Sequence, residues 1–367
     1  FRSDAGLETG WFQFRNFTPD YEFHDAAVNL FNDVSQGYGN YQSIQLENYV
    51  NYNETFSEKH NFDLVLGTTY RQSGGQNAGG STEDIPDAVK FDPNWQYLNA
   101  GQDSTDLTYG SADVDYRLIS YFGRVQYDFS EKYLFTATLR RDGSSNFGKN
   151  NRWGMFPSFS AGWVPTKEPF FNFDPISYMK VRASWGVNGS DRIRPLTFAS
   201  RIENVFSYAF GQTPSLFRGA ALATPPNPNV KWEESDQIDI GVEVEFFEGK
   251  WNLEADIYRK VTRDLLMSES IPGYVGATNN PISNLGEIKN QGIEIGIGNR
   301  IRKKGLTIST NLSYTHFTNE VTRIAGDAAF IGGWGWPVRN TAITRMTVGF
   351  PVGHFVGYQS DGIFQDE

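Results

Sequence analysis

The chain has 367 residues, with 43 acidic against 32 basic groups, a formal net charge of −11, four His and no Cys. Without cysteine there is no disulfide, thiol nucleophile or thiolate metal site, and an acidic chain lacking a basic block is no reader of phosphate backbones, so no nucleic-acid partner is expected. Mean hydropathy is −0.48 and no run approaches the roughly 18 apolar residues of a membrane helix, while 39% hydrophobic and 15% aromatic content argues against disorder.

At the start, residues 1–10 show no charged region leading into an apolar core, so no signal peptide is expected there, and at the end residues 361–367 close no element. The chain reads as a piece of a longer one. Between the ends, period two dominates. Met179, Val181, Ala183, Trp185 and Val187 alternate with Lys180, Arg182, Ser184 and Gly186; Ile238, Ile240, Val242, Val244 and Phe246 alternate with Gln237, Asp239, Gly241, Glu243 and Glu245. Trp251, Leu253, Ala255 and Ile257 follow the same rule, as do Ile293, Ile295 and Ile297, then Leu306, Ile308, Thr310, Leu312 and Tyr314. Such alternation places apolar side chains on one sheet face and polar ones on the other, which predicts an all-β antiparallel fold.

Eleven strands are expected, at 43–53, 60–71, 115–129, 133–141, 155–164, 178–187, 235–247, 250–261, 290–301, 305–318 and 343–358. Most exceed the roughly 5–6 residues of globular strands and match the roughly 9–11 of a tilted membrane-crossing strand. Short links (54–59, 130–132, 248–249, 302–304) take turns with long ones (72–114, 188–234, 262–289, 319–342), with one tie between 142–154 and 165–177. Transmembrane barrels do this because their inner turns are tight and their outer loops long. Aromatic residues flank the short turns: Phe246, Phe247 and Trp251 around Glu248-Gly249, and Tyr127, Phe129 and Tyr133 around residues 130–132. Rings of that kind sit at the headgroup level of barrels. The acidic residues of the polar face (Glu243, Glu245, Glu254, Asp256, Glu294) are then expected on a wet lumen, where they need no buried partner.

Catalytic and metal motifs fail on inspection. Residues 143–149 fit the first seven positions of a phosphate loop, but Asn150 stands where a Ser or Thr should hold magnesium and no apolar helix follows. His24, His60, His316 and His354 show no zinc spacing, and no serine-hydrolase elbow exists. No enzyme activity, cofactor or metal is expected. Trp334 and Trp336, one Gly apart in the last long link, are the candidate ligand-binding residues, since their flat faces suit a sugar ring or a peptide; packing on neighbouring loops or a partner is the competing reading.

Several blocks together resemble one family. They are Tyr121-Phe-Gly-Arg-Val-Gln-Tyr-Asp-Phe129, Lys132 through Ser145, Phe147 through Ser158, Met179-Lys-Val-Arg-Ala-Ser-Trp-Gly-Val-Asn-Gly189, Val230-Lys-Trp-Glu233, Tyr258 through Leu266, Asn284 through Glu294, and Val348-Gly-Phe-Pro-Val-Gly353 with Gly357 through Phe364. In this order and spacing the chain resembles the SusC/RagA-type TonB-dependent outer-membrane transporters of Bacteroidetes, closely over residues 115–367 and more loosely over 1–114, where further barrel strands and a long outer loop are expected. The resemblance implies a transmembrane β-barrel of about 22 strands closed by a plug, of which eleven strands are about half. An open half barrel would leave unpaired edges in lipid, so the rest of the wall, the plug, the TonB box and the amino-terminal extension are expected outside this sequence. It further implies TonB-driven uptake of a large nutrient, an oligosaccharide or a peptide, in the Gram-negative outer membrane amid lipid and lipopolysaccharide, with a SusD-like surface lipoprotein over the outer loops. The alternative roles are a SusC-like barrel serving as a structural subunit of another outer-membrane assembly, and a soluble β-rich glycan-binding protein.

Overall fold

The computed structural model describes the chain except residues 25–26, 95, 102–106, 113–114, 211–214, 327–330, 333–334, 337–340, 360–361 and 363–367. Eleven long strands carry it: β1 (Arg2–Thr18), β2 (Asp33–Phe56), β3 (His60–Glu83), β4 (Tyr116–Phe129), β5 (Tyr133–Ser144), β6 (Trp153–Trp163), β7 (Ile176–Ser190), β8 (Glu233–Phe246), β9 (Trp251–Ser268), β10 (Ile282–Lys303) and β11 (Leu306–Ile324). They hydrogen-bond in sequence order as one meander, and a further strand, Leu107–Ala112, pairs with β3. Contacts divide the chain into a larger unit (residues 1–2, 49–68 and 120–367) and a smaller one (3–48 and 69–119).

In the larger unit the register turns the alternation into rows. Val181, Val242, Ala255, Ile295 and Tyr314 lie side by side across β7 to β11; the next apolar row is Ala183, Ile240, Ile257, Ile293 and His316. Between them runs Arg182, Gly241, Asp256, Glu294 and Thr315 on the other face. The apolar face is uncovered: Ile240 is 55% exposed, Ile257 65% and Leu312 67%. Each such side chain left in water forgoes about 1.5–3 kcal/mol of burial, so Ile240, Ile257 and Leu312 call for an apolar surrounding. Lipid is the solvent that suits it.

Links at one end of this unit are 57–59, 130–132, 164–175, 247–250 and 304–305, all tight except the twelve-residue 164–175. Left-handed backbone closes the hairpins at Ser57 and Glu58, at Ser130 and Glu131, and at Lys304 and Gly305, as two-residue turns with the twist of their strands require. At the opposite end run 145–152, 191–232 and 269–281. The tie in the sequence reading is thereby resolved: 164–175 belongs with the turns and 145–152 with the loops. Buried side chains of this unit lie both in the loops, at Phe147, Val230 and Trp232, and on the strands, at Phe156, Val244, Val261 and Val321.

The smaller unit is organised around Asn32, buried, whose side-chain amide donates to the Ile85 carbonyl (3.0 Å) and whose carbonyl accepts from the Ile85 N–H (2.7 Å). Lys90 joins Asp20 (2.7 Å) and Asp87 (2.8 Å) nearby.

Two expectations fail. Strand β1 escaped notice because aromatics occupy both its faces: Phe12 and Phe14 lie over Gly39 and Gly37, while Trp11 on the other face is 79% exposed, which erases the period-two contrast. Residues 343–358 form no long strand, only Thr344–Met346 and His354–Phe355. Gly349 and Gly353 take positive φ (85° and 73°) on either side of Pro351, which cannot donate to a ladder. The segment instead folds back on β11, with Gly349 N–H on the Val321 carbonyl and Val321 N–H on the Phe350 carbonyl, both 2.9 Å.

Candidate functional site

The polar face of β7 to β9 is organised by one side chain. From β7, Arg182 reaches Asp239 (3.1 Å), Glu243 (3.0 Å), Glu254 (2.9 Å) and Asp256 (2.8 Å). One strand, β8, separates Arg182 from Asp256, and the residue between them is Gly241. A Cβ there would sit 2.0 Å from an Asp256 oxygen and 2.9 Å from the guanidinium carbon. The glycine is therefore the floor over which the arginine fork crosses, and five donors in a rigid plane are what let one cation serve several carboxylates. Lys180 adds a contact to Glu243 at 3.5 Å. The sequence reading left these acids solvated and unpartnered. That is corrected for Glu243, Glu254 and Asp256, which Arg182 gathers with Asp239. The signal was available in Lys180 and Arg182, basic residues on the polar face facing the acids of β8.

Beside this network the same face forms a hollow of about 650 Å³ whose walls include Asn53, Asp63, Gln126, Thr136, Ser160 and Lys180. Amide, hydroxyl and charged groups from β2 to β8 share this lining with the apolar Phe62, Leu134, Phe135 and Ala161. The volume lies within the roughly 300–1,000 Å³ of ligand clefts.

The loop end is built around residues 143–149, the segment with partial resemblance to a phosphate loop. No helix follows it. It closes β5 onto β6, with Ser144 N–H on the Arg152 carbonyl (3.1 Å) and Asn151 N–H on the Gly148 carbonyl (3.1 Å). Phe147 is fully buried and packs on Trp232 at a ring distance of 5.1 Å, with Phe156 on the other side at 5.3 Å. The Trp232 indole N–H donates to the Arg152 carbonyl (3.1 Å). Ser144 donates to the Asp191 carboxylate (2.6 Å), and the Asn146 amide to the carbonyls of Asp191 (3.0 Å) and Ile193 (3.2 Å). The segment is thus the hub on which the long loop 191–232 is hung.

At the turn end, Glu168 accepts from Tyr133 (2.6 Å), lies 3.1 Å from the Lys132 ammonium, and is reached by the Trp163 indole at 3.4 Å. The Tyr133 hydroxyl foremost, then Lys132, holds the Glu168 carboxyl below its ordinary value. His60 lies 2.7 Å from the Tyr127 hydroxyl and 4.8 Å from the Phe129 ring centre. Around the 130–132 turn the expected aromatic residues stack, Phe129 on Tyr133 at 6.2 Å, with the Tyr127 and Tyr133 hydroxyls partnered, and around the other turn Phe246 lies 6.4 Å from Phe247.

Of the tryptophan pair, Trp334 lies outside the described residues. For Trp336 the backbone alone is described, on a two-residue strand opposite Thr341. Among the described residues no group of three His, Asp or Glu has the arrangement of a metal site.

The family model described as TonB dependent receptor-like, beta-barrel matches residues 1–361. TonB-dependent receptor P3 of Formosa agariphila is 32% identical over 371 aligned residues that take in all of this chain and 36% of that protein. TonB-dependent receptor SusC of Bacteroides thetaiotaomicron is 33% identical over 66% of the chain and 25% of its own length. The chain spans about a third of the length of the curated relatives it matches over its whole extent. Among solved structures, the RagAB peptide transporter superposes with a TM-score of 0.77 at 20% identity, covering 96% of this chain and 37% of that one, a likeness of fold.

Proposed function

This chain belongs to the TonB-dependent receptor-like β-barrel family, and we propose that it forms barrel wall and outer loops of an outer-membrane importer for a large nutrient. The uncovered apolar face of β7 to β11, backed by a polar face with a hollow, carries this reading, because only a wall between lipid and water needs both faces at once. The cargo is an oligosaccharide or a peptide, admitted past the loop end, where a SusD-like lipoprotein covers the loops. Trp334 and Trp336 contribute flat contacts to that cargo. TonB acts through the plug, in the part of the longer relatives that this chain does not span. The role is transport, with no covalent step assigned to any residue. The relatives in Formosa and Bacteroides support a place in the outer membrane of the Bacteroidetes.

The test is uptake of labelled oligosaccharides and peptides by cells carrying the intact transporter or one lacking its TonB contact. Uptake that vanishes with the contact supports the importer. Undiminished uptake, or none by either strain while the barrel assembles, contradicts it and points to a structural subunit.

A further inference from the structure

A second hollow, of about 730 Å³, lies among the loops of the larger unit, away from the Arg182 wall. Its rim is the 194–199 turn and its back is the 278–282 segment, with the strand ends at Arg201, Thr224 and Ser268 between them. The parts are fastened from below. Asn146 holds the Asp191 and Ile193 carbonyls at 3.0 and 3.2 Å, Thr197 N–H bonds the Arg194 carbonyl (3.3 Å), and Arg201 pairs with Thr224 across a two-stranded ribbon. Asn279 N–H bonds the carbonyl of buried Ala223 at 2.8 Å, and the Thr278 hydroxyl bonds the same carbonyl at 3.2 Å.

The lining chemistry is uneven. Arg194 is exposed at the rim, and its guanidinium has no hydrogen bond or ion pair to any described residue. Among the described residues Arg201 is paired only with Glu203, itself a lining residue, at 3.0 Å, and its side chain is 55% exposed; such an exposed pair is weak and readily exchanged for a ligand. Asn280 accepts the Ile271 N–H (3.4 Å) through its carbonyl oxygen, which leaves its amide nitrogen as a donor. Thr197 and Thr278, whose hydroxyls donate to the Arg194 and Ala223 carbonyls (2.6 and 3.2 Å) and keep acceptor lone pairs, join Asn279, whose amide donates to Thr278 (3.1 Å), and Ser268 in a polar ring. No aromatic side chain is among the described lining residues, so nothing offers the flat face on which an uncharged sugar ring stacks. A free guanidinium above a polar hollow, in a chain of net charge −11, selects for an anion through a charge-assisted, fork-shaped contact.

We infer that this loop hollow is a binding site for an acidic oligosaccharide, its carboxylate or sulfate held by Arg194 and Arg201 and its hydroxyls by the Asn and Thr ring. This rests on the importer reading and narrows its cargo. A peptide is disfavoured because extended peptides are held by backbone pairing and side-chain sockets, whereas this lining supplies side-chain donors around an open bowl.

The test uses the purified full-length transporter in detergent and calorimetric titration with four probes: a uronic-acid tetramer, a sulfate-ester tetramer, an uncharged glucose tetramer and an acidic peptide. The inference expects one or both acidic saccharides to bind at least about tenfold more tightly than the neutral one and the peptide. Which of them binds tells carboxylate from sulfate. Arg194→Gln, at an exposed position and checked by an unchanged melting temperature, removes that preference; Asn280→Ala weakens each acidic probe that binds, with the melting temperature likewise unchanged. Equal binding of neutral and acidic tetramers, preference for the peptide, no binding, or an Arg194→Gln protein that retains the preference overturns it. TonB-dependent uptake by cells carrying the unaltered transporter separates the two readings. If that uptake depends on TonB while the unaltered protein shows no preference for the acidic probes, the site is wrong and the importer stands. If binding behaves as expected while uptake ignores TonB, the importer is wrong and the site stands.

Discussion

Replacing Arg182 by Met removes one cation from four carboxylates within 2.8–3.1 Å. Deleting one partner of a fully buried ion pair costs about 3–5 kcal/mol, because the other charge is left without compensation. Arg182 keeps 29% of its side chain exposed and Glu254 57%, so water screens much of that repulsion and the expected loss is about 1–3 kcal/mol. Arg182→Lys should recover part of it, since a point charge meets fewer of the four acids than the planar fork. The assay is urea unfolding of the full barrel in detergent micelles. Asp256→Asn in the Arg182→Met background should cost less than Asp256→Asn alone, with a coupling above about 0.5 kcal/mol. An Arg182→Met barrel that unfolds with the wild type, or additive effects of the pair, would refute the view of Arg182 as the organiser of this wall.

Val242 faces outward between Val181 and Ala255, so Val242→Arg should cost about 2–4 kcal/mol near the bilayer midplane and lower the yield of membrane-assembled barrel. Glu243→Arg loses the contacts to Arg182 and Lys180 but stays on the wet face, and should cost about 1 kcal/mol or less; equal yields for the two variants would count against the facing. Phe147→Ala empties the fully buried centre of the loop hub and should cost about 3–5 kcal/mol of local stability, read as rapid proteolysis within 191–232 while the strand core stays resistant. If 191–232 is cut no faster than in the wild type, the hub assignment is wrong. At the turn end, the Glu168 carboxyl lies below its ordinary value of 4.5, first through Tyr133 and then through Lys132. A lowered carboxylate stabilises fully above the unfolded value and loses that contribution as pH falls through the folded one. Glu168→Gln should therefore flatten the loss of barrel stability below about pH 4.5 and leave the neutral-to-alkaline profile in shape; an unchanged acid limb would contradict it.

How far the fold could be read beforehand follows from where the two solvents meet the chain. Residues 178–187, 235–247 and 250–261 alternate cleanly because each faces lipid on one side and water on the other, and their rows pair in the structure. Strand β3 runs on to Glu83 through Ser73-Gly-Gly-Gln-Asn-Ala-Gly-Gly-Ser81, a stretch with no apolar period, because its ladder continues where the two faces no longer differ. Arg182 was legible as a polar-face residue but not as a hub, since its reach to Asp256, two strands away, depends on Gly241 between them and on register that no local pattern encodes. Phe147 looked like part of a glycine-rich loop; only the return of Trp232 from a distant segment makes it a core residue. The loop hollow joins Arg194, Arg201 and Asn280 from separate links, so no spacing in the chain could have announced it.

The central claim is the facing of the strands, and the chain lends itself to a direct measurement because it has no cysteine. Single cysteines at Ile240, Ile257 and Leu312 on one face, and at Asp239, Glu254 and Ser313 on the other, would carry nitroxide labels in barrels reconstituted into bilayers. Power-saturation spectra should show the first three relaxed by oxygen, which concentrates in the lipid core, and the second three relaxed by a water-soluble nickel chelate. Labels at 240, 257 and 312 that answer to the nickel chelate instead would show a water-exposed or protein-covered face, and the transmembrane wall would be disproved.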